Sequence, residues 1–468
     1  MNHLDTTFSD RDILSTRLLW FLFFILLVFI LSLSIYKKFD RDEFESVHVA
    51  WKIFSGGVIY VDFLEQHHPF FYYMLVPLIE AFKVNVSVLM AARSMVFSML
   101  LAIFFITYNM ARNLFNKESA VISLILLATT EIFILKAVEI RPDVPQTLFS
   151  LLALSLLFRY FQKKFSRYLI LSSMSLGVSF LFLQKSVFFA CIIGAILLFR
   201  LCLKQIRSRD VFLYFLLFIS TLAPFYLYLF LKSQLHAYLM CNYFYNFSNT
   251  HWEMSRSQIM TLGLISSFRT SPQLWILLFL SFFFLNSSNQ KILGCMSVGV
   301  LIIFFLMQFQ NTQYYMPLMP LIAMMAGFAV HKMSRSFFKY RPLILWAMVV
   351  LCIFYPVKLY LNMIRDPSNT NMYQLNEVGY VLAVTKPKDF VYDGSIQFNL
   401  FRKDLDFFWY LTKQEQSPPW GHYDIYKLIN KFEPKVITAY KIPDMADKRI
   451  AQHYQASDKY PDLFIRIK

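Results

Sequence analysis

The chain of 468 residues has only five cysteines, Cys191, Cys202, Cys241, Cys295 and Cys352, and their spacing suits no metal-binding motif. Four of them fall in or beside apolar runs, where a thiol is a packing group. There is no internal repeat, low-complexity tract or long linker. The first hydrophobic run, residues 18–36, has no small-residue cleavage site behind it. Lys37, Lys38, Phe39 and Asp40 follow directly, so the run reads as an uncleaved signal anchor and first membrane helix. Repeated halves and broken midplane helices, the marks of a transporter, are not visible in the sequence. Acid is scarce too, with 29 Asp and Glu against 45 Lys and Arg, a net charge of +16. That excess is no nucleic-acid footprint. Much of it sits in short loops between apolar runs (Arg159, Lys163, Lys164, Arg167; Arg200, Lys204, Arg207, Arg209; Lys332, Arg335, Lys339, Arg341), the pattern of cytoplasmic loops.

What is abundant is apolar: 57% of residues are hydrophobic and 18% aromatic, above the share of soluble domains. A helix of about 20 residues crosses a hydrocarbon core of about 30 Å. Runs of that kind predict spans near 18–36, 90–111, 119–136, 145–161, 168–184, 186–203, 211–231, 271–285, 292–308, 314–330 and 342–360, about 11 transmembrane helices. Residues 69–82 are apolar but short and carry two prolines, which suits an interfacial helix. Counting them as a span would put every later basic loop outside, whereas omitting them places the N-terminus and those loops inside. Segments 37–89, 137–144, 232–270 and 309–313 then face the outer side.

The chain accordingly divides into a membrane part, 1–360, with a long first outer loop, and a tail, 361–468, that is polar, turn-rich and delivered to the outer side. In the tail, 389–394 and 434–441 read as short strands, 424–432 carries apolar residues at helical spacing, and 462–468 alternates in period two. That order predicts a small extracytoplasmic α/β domain.

Charge at the outer side is concentrated in three places. The first loop opens with Asp40, Asp42, Glu43 and Glu45, then runs through Gly56, Gly57, Tyr60, Asp62, His67, His68 and Pro69 into an aromatic stretch. Desolvated carboxylates are costly, so acids beside a membrane helix bind something or do chemistry, or else they cap the helix that follows. The loop Glu139-Ile140-Arg141-Pro142-Asp143 holds a second acid and a cation, which as a plain surface pair would contribute little. Lys185, in the step Gln184-Lys185-Ser186, lies at the predicted outer face against the inside bias, where a snorkelling lysine is the alternative. Arg93 near the end of a span needs a partner, either a loop acid or a ligand.

This order of elements resembles the C-type (GT-C fold) membrane glycosyltransferases, the group of the protein O-mannosyltransferases and the lipid A aminoarabinose transferase. The first loop, the Arg-Pro-Asp loop, the Gln-Lys step, Tyr314-Tyr315-Met316-Pro317 and the outer tail all take part, so the likeness covers nearly the whole chain. It implies a multi-pass protein of the plasma (inner) membrane that transfers a sugar from a polyprenyl-phosphate carrier, undecaprenyl in a bacterium, to a lipid or protein acceptor or a cell-envelope glycan, with inversion. Asp42, Glu43 and Asp143 match the family's acidic positions and are the expected catalytic groups. Lys185, Arg141 and Arg93 are the expected donor-phosphate ligands. Tyr60, Asp62, His67, His68 and Tyr315 are placed in the substrate cavity. A divalent metal cation serves some members, and the histidines leave that open. A lipid-linked sugar flippase or an assembly protein would also carry many spans, but would not need three charged loops converging at one membrane face.

Overall fold

The computed structural model describes residues 10–245, 268–269, 271–306, 312–336, 341–366, 369–394, 396–407, 409, 424–440 and 442–467. The middle of the expected outer segment 232–270 and most of 309–313 lie outside the described residues. Helices are numbered here to α11: α1 Asp10–Tyr36, α2 Arg41–Phe54, α3 Phe70–Phe82, α4 Ser87–Leu114, α5 Lys117–Ala128, α6 Glu131–Lys136, α7 Asp143–Lys163, α8 Ser166–Phe182, α9 Val187–Cys202, α10 Ser208–Leu231 and α11 Leu235–Leu239. Further apolar helices follow at Pro272–Ser281, Ser288–Leu306, Met319–Ser336 and Arg341–Arg365. Among the described residues the predicted spans fall on helix, one of them, 119–136, on two helices with a break between. Six helical segments among the described residues are long and apolar enough to cross a membrane: Thr16–Tyr36, Ser87–Leu114, Asp143–Lys163, Gln184–Cys202, Ser208–Leu231 and Gln313–Ser336. At 1.5 Å per residue, α3 is only about 20 Å long, short of a crossing.

One predicted span, 119–136, is broken into α5 and α6. The hydroxyls of Thr129 and Thr130 donate to the carbonyls of Ile125 (2.9 Å) and Leu126 (2.7 Å), satisfying the end of α5. The chain can therefore turn before α6 and lay residues 136–143 across the mouth of the bundle. In the sequence, two threonines in an apolar run gave no reason to expect a stop. The bundle centre is α5 against Met319–Ser336, both buried along most of their length. Gly327 permits that approach, since a Cβ there would overlap the Ser123 hydroxyl and the Ser119 carbonyl.

The tail is α/β. Strands β1 Val391–Tyr392, β2 Val436–Thr438, β3 Tyr454–Ala456 and β4 Leu463–Arg466 form one sheet in the order β1-β2-β4-β3, with β1 parallel to β2 and the other pairs antiparallel. The helix Ile425–Phe432 links β1 and β2 and buries Ile425 and Ile429. The helix Asn371–Val384 and strand β3 lack a clean periodic signal and were not expected. That helix stitches the tail to the exit of α1: Asn371 donates to the Ile35 carbonyl (2.6 Å), and Gln374 both accepts from and donates to the backbone of Phe39.

Candidate active site

Helix α2 starts with a capping box. Asp40 accepts from the Asp42 amide (3.2 Å), and Glu43 reaches back to the Asp40 amide (2.9 Å). Glu43 also takes two bonds from Arg93 (2.8 and 2.7 Å) and one from the Ile140 amide (3.1 Å), and it is fully buried. Arg93 spends its remaining N–H groups on the carbonyls of Ser34, Lys37 and Lys38 and lies over the Phe39 ring. The pair thus locks three chain segments together. Arg93 has no donor left for a phosphate, which corrects its expected role. Glu43, with its oxygens filled by fixed donors, is a positioning residue for the loop.

Asp42, one residue earlier, points the other way and is 43% exposed. Its carboxylate pairs with Arg141, and Arg141 also faces Asp40 (3.8 Å), Glu139 (3.6 Å) and Asp143 (3.4 Å). Glu139, buried, is held by Lys37 and Lys136, and Lys136 returns to Asp40 at 3.2 Å. Burial alone would lift the Asp40 carboxyl, but Lys136 and Arg141 outweigh it and hold it below the ordinary value. Four carboxylates around one guanidinium make Arg141 first an organiser of the acids.

Asp143 is the first residue of α7 and is buried, and the charges of Lys185, Arg141 and His67 act on it. Lys185 is the cation of this group without an ion pair among the described residues; its Nζ sits 3.3 Å from the centre of the Tyr314 ring. Tyr315, placed in the cavity from the sequence, is instead fully buried, and its neighbour Tyr314 meets Lys185. Asp42, Arg141, Asp143 and Lys185 are therefore brought to one cluster from three loops.

The remaining expected cavity residues divide. Tyr60 is buried, donates to the His67 carbonyl (2.7 Å), and takes a positive φ of 70° in the turn. Asp62 accepts from the Val58 amide (2.7 Å), closing that turn. His68 is buried with both nitrogens used, Nδ1 donating to the Phe180 carbonyl (2.6 Å) and Nε2 accepting from the Tyr238 hydroxyl (2.8 Å); burial drops its pKa to about 3. His68 is thus held by fixed partners on both nitrogens, Asp62 closes the turn at the surface, and Tyr60 lines a cavity of about 160 Å³ with Tyr73, Phe225 and Tyr228. His67 faces Glu65 at 3.0 Å and stays partly exposed.

Sequence reasoning missed several groups. Glu65 and Glu45 lie near His67, and their oxygens and the ring nitrogen all fall within 4.8 Å of one another, a set able to hold a cation. Asp404 of the tail binds Lys52 and accepts from His48 (3.0 Å), while Trp409 donates to the Leu64 carbonyl (2.9 Å), so the tail docks on the first loop. Burial would raise the Asp404 carboxyl, but His48 and Lys52 hold it at about 2. Burial pulls the His48 pKa below its ordinary value, against the Asp404 carboxylate, which raises it. Only the contacts could reveal Asp404, since it comes more than 350 residues after its partners.

Residues 66–228 match the family described as dolichyl-phosphate-mannose-protein mannosyltransferase. The chain is similar in structure to the crystal structure of ArnT from Cupriavidus metallidurans bound to undecaprenyl phosphate, with a TM-score of 0.63, 13% identity, and 96% of this chain and 97% of that one covered. It is also similar to the oligosaccharyltransferase of Archaeoglobus fulgidus in its apo form (TM-score 0.57, 11% identity, 90% and 69% covered). The archaeal oligosaccharyltransferase AglB from Archaeoglobus fulgidus, solved with an inhibitory peptide and a dolichol-phosphate, gives a TM-score of 0.56 at 11% identity, with 90% of this chain and 69% of that one covered. A search of curated protein sequences finds no match. The class is thereby defined: this chain carries the C-type membrane glycosyltransferase fold. Within that class its nearer likeness in extent is to ArnT, matched over nearly the full length of both chains.

Proposed function

We propose that the chain transfers a monosaccharide from a polyprenyl-phosphate carrier to an acceptor at the outer face of the membrane, inverting the anomeric carbon. One observation supports this most: Arg141 gathers the exposed Asp42 and the buried Asp143 beside Lys185, which has no ion pair among the described residues. In this reading Asp42 accepts the proton of the attacking acceptor hydroxyl, or holds that hydroxyl in line, as its exposed carboxylate allows. Lys185 meets the phosphate of the carrier and neutralises charge as it leaves, a contact that strengthens as negative charge develops. Asp143 and Arg141 fix the distance between the two. The family match at 66–228 and the two neighbours solved with polyprenyl phosphates favour such a donor. The outward orientation rests on the basic loops, and the division at residue 360 on the change in composition.

The direct test compares cell envelopes with and without the protein by mass spectrometry, expecting a lost adduct of hexose or pentose size. Purified protein with a labelled polyprenyl-phosphate sugar should then release free polyprenyl phosphate only when acceptor is present. Release that needs no acceptor, or no lost adduct in the envelope, counts against transfer.

A further inference from the structure

Two short turns, at the opposite end of α7 from Asp143, carry more positive charge than the fold uses. The turn between α7 and α8 holds Lys163, Lys164 and Arg167, and the turn between α9 and α10 holds Lys204, Arg207 and Arg209, all exposed. The two turns touch: Lys164 Nζ donates to the Gln205 carbonyl (2.9 Å), and the Tyr160 hydroxyl donates across to Asp210 (2.8 Å). None of the six cations has an ion pair among the described residues. The one acid in these turns, Asp210, already accepts from Tyr160 and from the Arg207 amide (3.3 Å). Arg200 adds a further charge behind them, lying 3.8 Å from the centre of the Phe161 ring and donating to Asn289 (2.8 Å). Burial, and then Arg200, hold the Lys164 ammonium below its ordinary value, and Asp210 does not offset them. Like charges gathered this closely repel, and an anion placed between them removes that cost.

We propose that the two turns together bind one anionic phospholipid with two phosphates in its headgroup, of the diphosphatidylglycerol kind. The turns lie directly at the ends of the membrane-crossing segments Asp143–Lys163, Gln184–Cys202 and Ser208–Leu231, which puts their charges at headgroup depth. Exposed apolar side chains stand beside them: Phe165 and Leu203 in the turns, Phe199 on α9 and Phe212 on α10. A soluble polyanion would meet the cations and leave those side chains bare. A lipid uses both, with its phosphates on the cations and its acyl chains along α9 and α10. Two phosphates fit because each turn brings three cations of its own, and the Lys164–Gln205 bond holds the two sets side by side. The bound lipid thereby ties the α7–α8 hairpin to the α9–α10 hairpin. This site is separate from the sugar-transfer cluster, since α7 alone puts about 30 Å between Asp143 and Lys163 at 1.5 Å per residue.

The test uses the full-length protein, delipidated in detergent, and reads bound lipid by native mass spectrometry, with no need of transfer activity. Diphosphatidylglycerol should be retained at one per chain and should outcompete phosphatidylglycerol, which has one phosphate, by at least about tenfold. Raising the salt concentration should weaken it. Each Lys or Arg near a membrane surface strengthens binding of anionic lipid by about fivefold, so Arg167→Gln with Arg207→Gln, one charge from each turn, should weaken it by about 25-fold. Arg112→Gln with Lys332→Gln removes as much charge from the ends of two other helices and should bind as wild type. Inorganic pyrophosphate, which has the charges without the acyl chains, should not displace the lipid at equal concentration. Melting curves check that each variant is folded; should the Arg167–Arg207 pair melt early, the lipid competition and salt dependence of the wild type decide alone. Equal retention of the two lipids, wild-type retention in the Arg167–Arg207 pair, an equal loss in the Arg112–Lys332 pair, or displacement by pyrophosphate overturns the site.

Discussion

Asp42 and Glu43 are adjacent on one helical turn and stand in opposite environments. Glu43 is fully buried and receives its bonds from Arg93, Asp40 and Ile140, all fixed groups of the scaffold. Asp42 keeps an exposed carboxylate and one partner, Arg141, which it shares with three other acids. A carboxylate with every lone pair filled has nothing left for a substrate, while one with a shared, partly solvated partner can exchange it. The lesson is that saturation, more than residue type, separates the joint that holds the loop from the group that works in it.

The largest effect expected is on Asp42. Asp42→Asn keeps the shape but removes the negative charge and the proton acceptor, so transfer should fall by about 10²–10⁴-fold. Thermal stability should stay within about 0.5 kcal/mol, as for other exposed substitutions. Initial rates and a melting curve on the same preparation give both numbers. Should Asp42→Asn melt early and still turn over, the two neighbours have exchanged roles and the comparison breaks.

Glu43 and Arg93 should show the reverse. Removing one partner leaves a buried, unpaired charge, which costs about 3–5 kcal/mol. Glu43→Ala and Arg93→Ala should each lower the melting temperature sharply, and the double variant should cost less than the sum. If either variant melts like wild type and fails only in transfer, Glu43 belongs with Asp42 after all.

The fold was largely legible because its cause is local. Long apolar runs, basic loops and the two prolines near α3 are properties of short segments, and among the described residues each predicted span fell on helix. The break between α5 and α6 was hidden, since Thr129 and Thr130 act through hydroxyl bonds to their own helix and barely disturb hydropathy. The site was legible in position but not in role. The acids, Arg141 and Lys185 stood out as charges at one face; which of them were saturated depended on partners up to about a hundred residues away, as Ile140 is for Glu43. Asp404 and the Glu45–Glu65–His67 group are purely tertiary, and no spacing announces them.

The docking of the tail offers a second saturated joint to set against the cleft. The folded Asp404 carboxyl titrates at about 2, against about 3.9 for an unfolded aspartate. Its folded pKa is depressed, so its contribution is present above pH of about 4 and lost as pH falls through about 2. Linkage puts that contribution at about 2–3 kcal/mol. His48, whose pKa burial lowers, adds in the same direction: its share is full above its ordinary value and declines on acidification. Protease sensitivity of the tail measured from pH 7 downward should rise below pH of about 4 in the wild type. Asp404→Asn should be sensitive already at pH 7 and change less with acid. A flat profile in both proteins would mean the tail is held by other contacts.

Lys185 sharpens the comparison at its open end, because it has no ion pair among the described residues and only the Tyr314 ring for company. A charge-assisted bond to the carrier phosphate contributes about 1.5–3 kcal/mol, so Lys185→Ala should reduce transfer at low donor concentration by roughly ten- to a hundredfold. Lys185→Arg keeps the charge but offers a planar fork in place of a compact ammonium, and should recover only part of that loss. Tyr314→Leu removes the ring that holds the ammonium without removing the charge; its effect should be smaller still, about 0.5–2 kcal/mol. Tyr314→Leu and Lys185→Arg should leave melting nearly unchanged, since the charge beside buried Asp143 stays, while Lys185→Ala removes one of the charges that offset its burial and should lower melting modestly. A lysine that merely snorkels to the membrane surface behaves otherwise, with normal donor kinetics in all three variants. Rates measured against donor concentration separate the cases: a phosphate ligand gives a graded loss in the order Ala, Arg, Leu, and wild-type kinetics in Lys185→Ala would move the phosphate to Arg141.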